Sequence, residues 1–480
     1  MDNLNDSQYK AVIHTGGHLL ITAGPGTGKT HTITRRIAHL IPSLKSDEKI
    51  LAITFTNKAA AQMKDRLTAL GVPLSKIFVG TFHAFCLKLL RDHWQETALP
   101  KDFKVITPDE VEGFDKKVLE AISLTKSTHL AIEPDADYKA YQRYLRNKSC
   151  IDFDDILRET LSLLENEELA AQLRARYRYI FVDEYQDSNI IQNALLKILV
   201  GDGVNLTAIG DPNQSIYGFR GSNAALFNRF KADFPGGVEL TLQENYRSAS
   251  NLIEASSQMM GGLDLLAKID TKGHLITYQS ESDRAEADYV AHQIEKMIGG
   301  MEMHSARHSH RTFGDIAILY RLNSQRHVIA QALDHVGIPY QVAQKPAKIG
   351  EYSDEAVLGQ LEEELDYDVE KVSLLTLHAA KGLEFPVVFI IGCEDKILPL
   401  DLEGMRGDLA EERRLFYVGM TRAREHLCLS YAKRRQLFGK SLSNEPSPFL
   451  ADISQELKAF EAARRKPVKL DRDAAQMKLF

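Results

Sequence analysis

Leu19-Leu20-Ile21-Thr22-Ala23-Gly24-Pro25-Gly26-Thr27-Gly28-Lys29-Thr30 joins a short apolar run to a glycine-rich turn, and Ile33, Ile37 and Leu40 then recur at helical spacing. A short unbroken apolar run reads as a strand buried on both faces, as in a parallel sheet. Strand, glycine loop and helix is the context in which such a loop cradles phosphate, because glycines let backbone N–H groups approach the anion. Lys29 is placed to neutralise the β/γ-phosphates, and the Thr30 hydroxyl to ligate Mg²⁺. Ala23 stands where the pattern usually has its first glycine, and is small enough for a tight turn. Ala23, Gly24, Pro25, Gly26, Thr27, Gly28, Lys29 and Thr30 are thus the predicted nucleotide loop, with Mg²⁺ as its metal.

Further strands are expected at Ile50–Phe55, Tyr179–Val182 and Leu206–Ile209. Strands alternating with helices imply a parallel α/β sheet whose functional residues gather at the strand carboxyl ends. Asp183 follows one such strand, so its carboxylate is expected to hold Mg²⁺, while Glu184 orients or deprotonates the attacking water. A second strand set, Asp315–Tyr320 and Pro386–Ile391, predicts a second α/β domain. The expected divisions are a sheet domain of residues 1–87 and 175–240, a helical insertion at 88–174, a second sheet domain at 241–450 and a flexible tail at 451–480.

The 480 residues are 44% hydrophobic and 26% charged, a globular balance. No apolar run reaches the roughly 18 residues of a membrane span, and the first residues lack a secretory pattern. Cys86, Cys150, Cys393 and Cys428 are scattered without metal-ligand spacing, which fits a reducing cytoplasm. A net charge of −7 gives no overall basic signature, so any nucleic-acid contact must come from a local groove.

Three arginines are candidates for stabilising charge on a transferring phosphoryl group: Arg220, Arg247 and Arg422. Arg247 and Arg422 fall in the second domain, so hydrolysis would need both domains closed on one nucleotide.

Taken in order, these segments resemble the UvrD/Rep/PcrA group of superfamily 1 DNA helicases. Leu4-Asn5 with Gln8 is similar to that group's adenine-reading segment, and Ala23 to Thr30 to its first motif. Thr54 to Ala60, Gly80 to Phe85, Asp183 to Asp187 and Gly210 to Gly221 follow in the family's order. So do Asn245 to Ser248, Leu319-Tyr320-Arg321, Thr376 to Phe385 and Tyr417 to Ala423. The resemblance implies two RecA-like domains, ATP-dependent 3′→5′ movement on single-stranded DNA and unwinding of 3′-tailed duplexes in repair or replication. It implies that Lys29, Thr30, Asp183, Glu184, Gln214, Arg247 and Arg422 carry the hydrolysis. Gln8 and Arg35 would belong to the nucleotide site, Tyr246 would stack on adenine and Glu384 would meet the ribose. Phe55, Asn57, His83, Tyr217, Phe219, Tyr320, Arg321 and His378 would line the strand channel. Aromatic faces stack on any base, so such binding ignores sequence.

The chain also departs from that group. Its relatives insert a large helical domain, called 2B, where this chain has only residues 327–371. That segment is too short for a domain, which puts strand separation in question. The alternative function is a translocase that remodels protein–DNA complexes or regulates a partner nuclease. At the C-terminus Gln476-Met477-Lys478-Leu479-Phe480 resembles the bacterial sliding-clamp binding pentapeptide, making a sliding clamp a candidate partner. His304, His308 and His310 lack ligand spacing for a metal, and Asp152, Asp154 and Asp155 are read as part of a helix rather than a nuclease site.

Overall fold

The computed structural model describes residues 3–201, 203–262, 265–299, 311–343, 365 and 369–462. Two all-parallel sheets organise it. Across the first, the strands run Ile77–Thr81, Lys49–Thr54, Tyr177–Val182, Asn205–Gly210, Leu19–Ala23 and Val238–Leu242. Across the second they run Tyr340–Val342, Val372–Thr376, Ile316–Tyr320, Phe385–Ile390, Ala423–Ala432, His274–Ser280 and Ala459–Ala462. Each sheet carries a separate apolar core on either face, which is why its inner strands are apolar at nearly every position. The α/β class with two parallel-sheet domains is as expected.

Between strands Ile77–Thr81 and Tyr177–Val182, residues 104–151 fold around a small core of Ile122, Tyr141, Leu145 and Cys150. The flanking helices Phe82–Asp92 and Phe153–Leu163 belong instead to the main core, through Phe85, Leu90, Ile156 and Leu157. Asp152 caps the second of these helices. The fully buried Lys126 lies 2.6 Å from Asp152 and 2.7 Å from Asp155. These acids are ion-paired scaffolding rather than a cluster open to metal.

The second domain does not stop at residue 450. Ile453 is buried, and Ala459–Ala462 adds an edge strand beside His274–Ser280. The expectation of a flexible tail from 451 is corrected accordingly, because apolar side chains and a strand ladder tie down the residues up to 462. The pentapeptide Gln476–Phe480, His304, His308, His310 and most of 327–371 lie outside the described residues.

Candidate functional site

The glycine loop connects strand Leu19–Ala23 to helix Lys29–Leu40. Gly26 and Gly28 have φ of +68° and +82°, a backbone region that side-chain-bearing residues rarely adopt. Lys29 and Thr30 open the helix, whose first N–H groups have no partner within it and attract anions. Inside the loop, Thr27 Oγ1 donates to Gly24 O (2.8 Å) and Gln8 Nε2 donates to Thr27 O (3.0 Å).

The second domain closes over this loop. Asn245 Nδ2 donates to Pro25 O (2.6 Å), and Tyr246 N–H donates to Gly26 O (2.9 Å). A Cβ at Gly26 would stand 2.6 Å from Arg247 Cβ, so this glycine is required by close approach as well as by its φ. Asn5, which caps the first helix, donates to the Tyr246 hydroxyl (3.0 Å). Its neighbour Leu4 lines a surface pocket with Val12, Arg35, Ala38 and His39. Gln8 and Tyr246 therefore meet the loop at Thr27 and Gly26, while Arg35 lies farther along the helix, in the pocket beside Leu4.

Asp183 and Glu184 follow strand Tyr177–Val182, at its carboxyl end. Lys29 Nζ lies 3.7 Å from Glu184 Oε1. Burial and the adjacent Glu184 push the Asp183 carboxyl above its ordinary range. Burial opposes ionisation of Glu184 too, but Lys29 and Lys381 outweigh it and hold that carboxyl down. Two neighbouring carboxylates with one near lysine leave negative charge that a cation would relieve. Among the described residues no group of three or more His, Cys, Asp or Glu could hold a metal unaided. Asp183 and Thr30 would supply two ligands, leaving the others to phosphate and water.

On the facing wall, Arg422 is 2% exposed. Its Nε donates to Val418 O (2.8 Å), its Nη1 to Leu383 O (3.0 Å) and its Nη2 to Gln214 Oε1 (3.4 Å). Gln214 Nε2 in turn donates to Asp211 Oδ2 (2.7 Å). Burial, and then Arg247, lower the Arg422 pKa to about 9, which leaves it cationic at neutral pH. Arg247 pairs with Glu384, which also pairs with Arg424. Glu384 is thus occupied by two arginines in this arrangement.

An aromatic ladder runs across the same interface. Phe55 stacks on Tyr217 (centroids 5.0 Å, planes 21° apart), Tyr217 leans on Phe219 (6.2 Å), and Phe219 meets His378 edge-on (5.4 Å). The first three rings belong to the first domain and His378 to the second. Phe219 is 58% exposed, so its face is open to a ligand. Arg220 lies over both Tyr217 and Phe219 (5.7 and 5.5 Å). Burial, with Arg321, Arg220 and Lys381 nearby, lowers the His378 pKa to about 3, keeping the ring neutral.

The other expected channel residues are placed differently. Tyr320 is 1% exposed and sits in the core with Ile316 and Ile318, so the expectation that it lines the channel is corrected. Strand alternation puts residues 316, 318 and 320 on one face, covered by helices Asp283–Gly299 and Arg326–Val336. Arg321 is held by Glu412 through bonds of 2.7 to 3.1 Å. His83 packs edge-on against Phe153 (6.1 Å), and burial lowers its pKa to about 4. Asn57 opens helix Asn57–Ala69, two residues after Phe55.

Lys381 was not singled out from the sequence. Its Nζ donates to Asp187 Oδ2 (2.5 Å) and Gln214 O (2.7 Å) and lies 5.0 Å from the Tyr217 ring. It touches the acidic segment, the sensor segment and the ladder together. The available signal was its position three residues after His378, in the turn that follows strand Val372–Thr376.

The model of the UvrD/REP helicase N-terminal domain matches residues 4–136 and 123–235, and that of the UvrD-like helicase C-terminal domain matches 240–347 and 348–434. The chain belongs to the UvrD/Rep helicase family. It is 28% identical to ATP-dependent DNA helicase PcrA of Leuconostoc citreum over 650 aligned positions, covering 95% of this chain and 85% of that one. It is 29% identical to ATP-dependent DNA helicase UvrD1 of Mycobacterium leprae over 677 positions, covering 95% and 86%. Both alignments are longer than this 480-residue chain, so the relatives carry residues that it lacks. The two C-terminal matches meet at residues 347 and 348, within the 327–371 segment. No helix among the described residues is long and apolar enough to cross a membrane.

Proposed function

We propose that this UvrD/Rep family member is an ATP-dependent DNA helicase that moves 3′→5′ on single-stranded DNA. The observation that carries this reading is the ladder Phe55–Tyr217–Phe219–His378, which spans the same two domains as the phosphate cleft and joins it through Lys381. A cleft alone would support a nucleotide sensor; rings that bridge the closing domains support a motor.

Lys29 and the loop N–H groups would grip the phosphates of ATP, and Tyr246 would stack on adenine. Thr30 and Asp183 would hold the Mg²⁺ that accompanies ATP and neutralises its phosphate oxygens. Glu184, kept ionised by Lys29, would orient and deprotonate the attacking water. Gln214, Arg247 and Arg422 would meet the γ-phosphate once ATP fills the cleft, releasing Arg247 from Glu384 and freeing that carboxylate for the ribose. Loss of the γ-phosphate would reopen the cleft and shift His378 relative to Phe219, so that bases pass along the ladder.

The match break at 347/348 and the longer relatives favour a second reading, in which the 2B domain is missing or reduced. The chain would then translocate and remodel protein–DNA complexes or control a partner nuclease, with little strand separation of its own. Strand displacement by the isolated protein decides between them, using duplexes with a 3′ or a 5′ single-stranded tail. Displacement from the 3′-tailed substrate alone is expected of a helicase. ATP-driven removal of a protein block from single-stranded DNA without displacement would favour the second reading. Displacement from the 5′-tailed substrate would overturn the polarity.

A further inference from the structure

Helix Leu409–Met420 touches one short segment of the other domain at several points. Glu411, in its first turn, accepts a hydrogen bond at Oε1 from Gly218 N–H (3.0 Å). One turn on, Arg414 Nε donates to Ser215 O (2.7 Å). Just past the helix end, Arg422 Nη2 reaches Gln214 Oε1 (3.4 Å). The touched segment, 214–218, contains Tyr217 and leads directly into Phe219. Two of these contacts are to backbone, so the helix governs where the segment lies.

The helix is rigid enough to transmit this. Asp408 caps it by accepting from Glu411 N–H (2.9 Å), and Leu415, Phe416, Tyr417, Val418 and Met420 are fully buried. A Cβ at Gly419 would stand 2.5 Å from Leu377 Cδ2, so the helix is closely packed against its own domain. The fit at Gly218 is equally close: a Cβ there would stand 2.5 Å from Glu411 Oε2. Glu411 contacts neither the nucleotide loop nor the ladder rings in the interactions described.

We infer that Glu411 and Arg414 are positioning residues that turn the domain closure sensed by Arg422 into a displacement of Tyr217 and Phe219, so that the grip on DNA alternates with the state of the nucleotide. This rests on the proposed motor function. The coupling is read as the ratio of single-stranded DNA affinities with a non-hydrolysable ATP analogue and with ADP. Glu411→Ala should bring that ratio about tenfold closer to one, the effect of one charge-assisted hydrogen bond, with the KM for ATP in the absence of DNA unchanged. Glu411→Gln keeps a carbonyl acceptor for Gly218 N–H and should restore most of the ratio.

A wild-type ratio in Glu411→Ala, or equal loss in Glu411→Gln, would overturn the inference. Arg414→Met serves if Glu411→Ala does not fold: a folded Arg414→Met protein with the wild-type ratio would overturn it too. A wild-type protein whose ATPase ignores DNA would defeat the motor reading and this inference together. Stimulated wild-type ATPase with an intact ratio in the variants would defeat only the inference.

Discussion

The phosphate cleft and the aromatic ladder lie along one interface, yet they are built by opposite means. The cleft is made of glycines at positive φ, backbone N–H groups and buried charges, several of them held by a partner in the other domain, such as Pro25 by Asn245 or Gln214 by Arg422. The ladder is made of rings in loose series, with Phe219 more than half exposed. One geometry demands particular atoms; the other accepts any flat face. This division suits a machine that must recognise one nucleotide and ignore base identity. It also predicts that single changes act nearly all-or-none in the cleft and by degrees along the ladder.

The largest effect expected is at Arg422. Arg422→Ala should lower the DNA-stimulated kcat for ATP by about 10³-fold, with a much smaller change in KM, in steady-state assays. A loss of only a few-fold would break the contrast by making the cleft as tolerant as the ladder.

Phe219→Ala should weaken single-stranded DNA binding by about 1–3 kcal/mol in a fluorescence titration, with no preference among homopolymers in the loss. Phe219→Trp, which offers a larger stacking face, should bind at least as tightly. A loss confined to one base would mean that the ladder reads sequence.

His378 has a folded pKa of about 3, against about 6.5 when unfolded. Below about pH 6.5 the unfolded chain binds a proton that the folded ring refuses, so this group removes stability as pH falls toward 4 and has no effect above 7. Buried acids with raised pKa values, such as Asp187 at about 7, act in the opposite sense. The test is therefore a difference: the Tm change between about pH 7 and pH 5 should be less unfavourable to stability at the acid end in His378→Asn than in wild type.

The smallest effect is expected at Tyr320. Removing one hydroxyl from a core ring in Tyr320→Phe should change single-stranded DNA affinity by less than about twofold. A tenfold loss would return Tyr320 to the channel.

Legibility in the sequence follows the same division. The glycine loop, Lys29, Asp183 and Glu184 could be read because their chemistry is local: a strand end, a tight turn and a helix start lie within about a dozen residues. The two parallel sheets could be read because strands buried on both faces are apolar throughout. Tyr320 was misassigned although the signal was present. It shares a face with Ile316 and Ile318, and both faces of that strand are covered by apolar cores, so a run apolar at every position up to Leu319 was the sign of burial. Lys381 and Glu411 could not be assigned from local pattern, since their partners Asp187 and Gly218 are 194 and 193 residues away. The edge strand Ala459–Ala462 was hidden because its four residues are all exposed and carry no burial pattern.

The most direct test is the ATPase rate of the wild-type chain with and without single-stranded DNA, with Lys29→Ala as the control. A motor whose cleft and ladder share one interface should be strongly stimulated by DNA, and the stimulated rate should vanish in Lys29→Ala while DNA binding persists. A wild-type rate indifferent to DNA would contradict the account, because cleft and ladder would then be neighbours without being coupled.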